Sequence, residues 1–151
     1  MVSALGRSGY APAQVSLGVL YQKGRGVTQN FGEAMNYYRA AAAQGNANAM
    51  YDIGTLFENG QGVETNVVEA ARWYLRSAER GSVVGAYDVA EKYELGQGVQ
   101  KSNVEAWAWF GVAAAGGYRD AAERREAIGP RLTFEQIREA TRLRGERLPK
   151  K

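Results

Sequence analysis

The chain has 151 residues, 45% of them apolar and 23% charged, with a formal net charge of +3, the make-up of one globular domain and not of a disordered polymer. It contains neither cysteine nor histidine, which excludes disulfides, thiol nucleophiles, imidazole acid–base chemistry and the usual zinc sites. No stretch approaches the roughly 18 consecutive apolar residues that a membrane span needs, and the opening residues contain no apolar signal core.

Nineteen glycines stand beside only three prolines, and the glycines keep a fixed spacing. Gly9, Gly45, Gly81 and Gly117 recur every 36 residues. Between them the same columns return: Gly24, Gly60 and Gly96; Val27, Val63 and Val99; Glu33, Glu69 and Glu105; Tyr21, Phe57 and Tyr93; Tyr38, Tyr74 and Phe110. So many columns in one register define a repeat array.

In chain order, residues 1–9 fill the columns that elsewhere hold the tail of a second helix. They are therefore expected to be the remnant of a preceding unit, in a truncated array or a piece of a longer protein. Ala13, Leu17, Leu20 and Tyr21 then share one helix face, predicting a helix from Ala11 to Lys23 that stops at Gly24. A second helix should start near Asn30, because Asn30 with Glu33 has the spacing of a capping box, and should end at Gly45. Asn66 with Glu69 and Ser102 with Glu105 repeat the signal. The valine after each pair of loop glycines is expected to tuck between the helices. The chain thus reads as a single domain with units at 10–45, 46–81 and 82–117, each an antiparallel helix pair. Residues 118–151 follow as a helical cap, with Thr133 and Gln136 opening its last helix. The entire cationic excess lies in that cap, but its arginines alternate with Glu123, Glu126, Glu135, Glu139 and Glu146. This is the pattern of a solvated helix and not of a phosphate-binding stripe, so no nucleic-acid partner is expected.

These columns resemble the Sel1-like repeat family, a branch of the tetratricopeptide-type solenoids. The family's A-x-x-x-L-G-x-L-Y-x-x-G-x-G-V followed by E-A-x-x-W-Y-x-x-A-A-x-x-G is legible at Ala13 to Val27 with Glu33 to Gly45. It recurs at Ala49 to Val63 with Glu69 to Gly81, and at Gly85 to Val99 with Glu105 to Gly117. The resemblance implies an all-α, right-handed superhelical solenoid of about three helix-pair repeats plus the cap, with the first helices lining its concave side. It also implies a scaffold of bacterial origin, with the periplasm or cell envelope favoured over the cytoplasm. Ala90 and Lys92 stand where the family usually has glycine and leucine, which implies looser packing in the third unit.

The loop glycines are not a phosphate cradle. Gln29, Thr65 and Lys101 occupy the position of the third glycine that a dinucleotide fingerprint requires, and no strand pattern precedes them. The aromatic columns read as inter-repeat core. Trp107 breaks its column and is expected under the cap. Asp88, Glu91 and Glu94 are spaced one turn apart, but nothing places them in an apolar pocket that would tune an acid–base pair. No catalysis, cofactor or metal is expected. The informative surface is the outer stripe of the first helices, where Asn48, Tyr51, Thr55 and Glu58 recur as Val84, Tyr87, Glu91 and Glu94, flanked by Asp52 and Asp88. Four first helices about 20 Å long and about 10 Å apart offer roughly 800 Å², one partner's share of a standard protein interface. We therefore expect a non-catalytic interaction scaffold of a bacterial regulatory or assembly pathway. It should hold a basic protein or peptide segment on the concave stripe, anchored by Tyr51 and Tyr87 and oriented by the acids, with no membrane insertion. The alternative expectation is an envelope module that binds a glycan or peptidoglycan fragment.

Overall fold

The computed structural model describes residues 9–148. Among them the chain forms eight α-helices and one 3-10 turn, with no strand. The helices are α1 (Ala11–Lys23), α2 (Phe31–Ala43), α3 (Ala47–Asn59), α4 (Val67–Glu79), α5 (Val83–Leu95), α6 (Asn103–Ala115), α7 (Ala121–Ile128) and α8 (Phe134–Arg147), with the turn at Gly129–Arg131. The expected helix remnant over residues 1–9 lies outside the described residues, except for Gly9.

The recurring helix boundaries have local causes. Gly24, Gly60 and Gly96 sit at φ of 66°, 65° and 69°, the left-handed conformation that ends a helix and that a Cβ would strain. Each first helix therefore ends in the same place. The second helices are opened by Asn30, Asn66 and Ser102, whose side chains accept the N–H of Glu33, Glu69 and Glu105. Among the described residues only the last helix has the full reciprocal box, with Gln136 Oε1 accepting the Thr133 N–H. Asn46 and Ser82 cap α3 and α5 in the same way, a signal not anticipated from the sequence. The loops are tied down by one repeated bond: the N–H of Asn30, Asn66 and Ser102 donates to the carbonyl of Tyr21, Phe57 and Tyr93, each at 2.9 Å.

Successive helices pack in pairs, and the pairs stack into an array. One core cluster joins units one and two around Tyr38, Ile53 and Leu56. Another runs from unit two through unit three into the cap around Tyr74, Val89, Trp109, Phe110 and Ile128. The valine columns are half-buried as expected, and Val63 packs against the first cluster. Trp107 is half-buried with the guanidinium groups of Arg125 and Arg144 over its ring at 5.5 and 5.9 Å, so it does lie under the cap. Helix α7 stands in the column register of a fourth first helix: Ala121, fully buried, continues the column of Ala13, Ala49 and Gly85. Both α7 and α8 pack on α6.

The expectation of loose packing at Lys92 is corrected. Lys92 is only 9% exposed, and its Nζ donates to Glu58 Oε1 of the preceding unit. Its aliphatic stem fills the space a leucine would take, while its head bridges two repeats. Burial by itself would raise the Glu58 carboxyl, but the hydrogen bonds from Lys92 and Tyr74 outweigh it and hold the group below its ordinary value. Lys92→Leu is therefore expected to lower the melting temperature, because it removes the cation and leaves a half-buried carboxylate with Tyr74 alone. The expected cost is about 1–3 kcal/mol, read by thermal unfolding; a rise in melting temperature would restore the looser-packing view.

Candidate partner-binding surface

The first helices lie side by side, and their outer stripe is joined from unit to unit by side-chain bonds. The Tyr51 hydroxyl of α3 donates to Asp88 Oδ2 of α5 at 2.7 Å. One unit on, the Tyr87 hydroxyl donates to Asp120 Oδ1 at 2.6 Å. Behind them the second helices contribute a parallel set, with Tyr38 donating to Gln22 and Tyr74 to Glu58. The hydroxyls of Tyr51 and Tyr74 are pushed up by burial and by the carboxylates that accept their protons, so both stay neutral donors throughout the physiological range.

The third unit breaks this pattern in a way that closes the C-terminal part of the stripe. Phe110 stands where Tyr38 and Tyr74 stand in the earlier units, so Glu94 receives no phenol. Arg124 of α7 fills the gap. Its Nη2 reaches Glu94 at 2.8 Å, its Nη1 reaches Glu91 at 3.1 Å and the Tyr87 hydroxyl at 3.0 Å, and its guanidinium stacks over Phe110 at 4.8 Å. Arg131 adds a longer contact to Glu94 at 3.6 Å. Arg124 occupies the column of Asp52 and Asp88, so the cap presents a cation where the repeats present an acid.

Two expectations change accordingly. Tyr87 is only 5% exposed, with its ring against Phe110 and Tyr118, and it belongs to the core instead of offering an anchor. Glu91 and Glu94 are already engaged by the chain's own cap, and Glu58 by Lys92 and Tyr74. These acids join the units and do not face outward as free carboxylates.

The N-terminal half of the stripe differs. Asn48 is exposed, and Tyr51, Asp52 and Thr55 are half-buried. The Thr55 hydroxyl donates to the Asp52 backbone carbonyl at 2.8 Å, leaving the Asp52 carboxylate untouched. In the next unit the matching acid, Asp88, takes the hydroxyl of Tyr51; for Asp52 that tyrosine column holds Val15. Burial raises the Asp52 carboxyl to about 6, with the Lys23 charge pulling back only in part. Asp52 is thus a carboxylate held among half-buried neighbours without a phenol to satisfy it.

The sign of its effect on stability follows. The folded state holds the Asp52 proton to a higher pH than the unfolded chain, whose aspartates titrate near ~4, so ionising the carboxylate works against folding. That penalty is absent below about pH 4, grows as pH rises through the folded value near 6 and is complete above it. Asp52→Asn should therefore stabilise the protein by about 1–3 kcal/mol at pH 7.5, with the gain vanishing near pH 4. Thermal unfolding at the two pH values checks it, and an equal effect at both would mean that the carboxylate is already solvated.

Among the described residues no cluster of acids could hold a metal ion, and no helix is long and apolar enough to cross a membrane. Fold and surface together define a helix-pair solenoid whose first-helix row is tied from unit to unit by side-chain bonds. The Sel1 repeat model matches three times in tandem, at residues 11–46, 47–82 and 83–118, and the chain belongs to the Sel1 repeat family. Among solved structures it is similar to a Sel1 repeat protein from Oxalobacter formigenes, with a TM-score of 0.76 and 35% identity over 82% of this chain and 93% of that one. It is also similar to a protective antigen of uropathogenic Escherichia coli with an SLR fold, with a TM-score of 0.70 and 26% identity over 93% of this chain and 38% of that one. A third likeness, to the cysteine-rich protein B of Helicobacter pylori, has a TM-score of 0.65 and 23% identity over 76% of this chain and 88% of that one, and concerns the fold alone. No curated protein matches the chain.

Proposed function

We propose that this protein is a non-catalytic interaction scaffold of a bacterial regulatory or assembly pathway at the cell envelope, and that its first-helix row receives a basic segment of a partner protein. Sel1 repeat proteins are in general protein-interaction scaffolds without catalysis, which supports the class. The observation that carries the particular reading is Asp52, a carboxylate kept in a half-buried setting with no hydroxyl partner. A lysine or arginine from outside would add to the partial pull of Lys23 and would be worth more there than at an exposed site. Asn48, Tyr51 and Thr55 border the same acid, and half-buried Val15 and Val19 from α1 offer apolar contact beside it. Tyr87, Asp88, Glu58, Glu91 and Glu94 support this row by fixing the spacing of its helices.

A fluorescein-labelled peptide of alternating lysine and leucine tests the reading by anisotropy. Affinity should rise several-fold between pH 5 and pH 7.5 as Asp52 ionises, and Asp52→Asn should flatten that dependence. A peptide that binds equally to both proteins at both pH values would remove Asp52 from the site.

A further inference from the structure

We propose that the groove between α2 and α4, built by second helices, is a separate docking site that takes an acidic peptide segment of a partner protein. The groove is open to solvent and has a volume of about 530 Å³, within the range of ligand-binding clefts. Its apolar lining includes Trp73 and the nearly buried Met50, and its polar lining is Arg39, Arg76, Arg80 and Glu79. The Arg76 guanidinium lies over the Trp73 ring at 4.9 Å. Among the described residues no carboxylate forms an ion pair with Arg39, Arg76 or Arg80. Three arginines against one glutamate leave a local excess of donors that suit carboxylates in bidentate geometry.

In the next unit the chain's own cap lies against part of the same columns. Val112, Ala115 and Gly116 occupy the columns of Arg76, Glu79 and Arg80, and there the chain's own Arg147 and Leu148 complete the lining. Arg147 stacks on Trp109 at 4.5 Å, as Arg76 does on Trp73. In unit three those columns are apolar, and the cap's own Arg147, ion-paired to Glu105, lies beside them. In unit two the arginine is built into the wall, so the complementary occupant carries acids, with leucine-like side chains between them for Trp73 and Met50. This site uses the opposite face chemistry from the Asp52 row, and Asp52→Asn is expected to leave it unchanged.

The test is titration of the ¹⁵N-labelled full chain with an acetylated, amidated hexapeptide Glu-Leu-Glu-Glu-Leu-Glu at low salt, following the Trp73 indole N–H. Three controls run beside it: the same peptide with lysine in place of glutamate, inorganic phosphate, and a single-stranded oligonucleotide. The expected result is a saturable shift at Trp73 with the acidic peptide alone, and a dissociation constant at least tenfold weaker in the Arg39→Ala, Arg80→Ala double variant. Both substitutions are at exposed positions, and circular dichroism confirms that the variant is folded. A shift confined to the cap arginines, a double variant within twofold of the parent, or a lysine peptide that shifts Trp73 equally would overturn the proposal. Tighter binding of the oligonucleotide than of the acidic peptide would overturn it in favour of a nucleic acid.

Discussion

Arg124→Ala is expected to loosen the cap from the third unit and to lower stability by about 2–4 kcal/mol, or roughly 5–15 °C in melting temperature for a domain of this size. Arg124 binds Glu91, Glu94 and the Tyr87 hydroxyl and stacks on Phe110. Glu94, whose side chain is only 15% exposed, would be left with the longer Arg131 contact. Removing one partner of a largely buried pair costs more than the pair itself contributes, because the remaining charge stays desolvated. Arg124→Lys keeps the charge but loses the planar fork that spans two carboxylates, so it should recover less than half of the loss. Hydrogen exchange supplies the localisation: amides of α7 should exchange faster while those of α1 to α3 keep their protection, because each unit of a solenoid leans only on its neighbours. Uniformly faster exchange along the whole chain would show that the cap is not a separable lock.

The second large effect is expected at Gly54→Val. A Cβ at Gly54 would come within 2.6 Å of the Tyr74 ring and 3.3 Å of the Ala70 carbonyl oxygen. Tyr74 is fully buried, and its hydroxyl is held by Glu58, so the ring has nowhere to retreat. Overpacking of this kind costs about 1–3 kcal/mol for the first carbon and more for a branched side chain, set against at most about 1 kcal/mol gained in helix propensity. Gly54→Val should therefore destabilise by about 3 kcal/mol or more, and Gly54→Ala by less. The same column in the third unit holds Ala90, fully buried, so Ala90→Gly should destabilise as well, by about 1 kcal/mol through lost packing and helix propensity. Urea unfolding of the three variants reads all three losses. A neutral Gly54→Val would mean that the approach of α3 to the Tyr74 ring is not what sets the helix spacing.

The helix ends were legible in the sequence because their causes are local. A left-handed glycine at 24, 60 and 96, or an asparagine three residues before a glutamate, acts over one turn and leaves its mark in adjacent letters. The stripe of the first helices was legible as a stripe for the same reason. What its side chains meet was not legible, since that depends on how one unit is rotated against the next. Tyr51 and Asp88 are 37 residues apart, and spacing along a single helix says nothing of whether Asp88 faces solvent or the preceding unit. Lys92 misled in this way: a lysine in a leucine column reads as loose packing within its own helix, while in space it reaches Glu58 of the preceding unit. A signal for the cap was nevertheless present. Extending the 36-residue columns past Gly117 puts Ala121 in the small-residue column and Arg124 in the aspartate column, which marks α7 as the start of a fourth unit and Arg124 as the partner of acids in the third. Following the tyrosine column back to Val15 would likewise have singled out Asp52 as the acid without a phenol.

The most direct measurement is photo-crosslinking of the labelled lysine–leucine peptide from a benzoyl-phenylalanine placed at Asn48 in one protein and at Val84, the same column one unit on, in another. Adducts from position 48 and none from position 84 are the predicted result, since the row is open beside Asp52 and closed by Arg124. Adducts from position 84 alone, or equal yields from both, would contradict it.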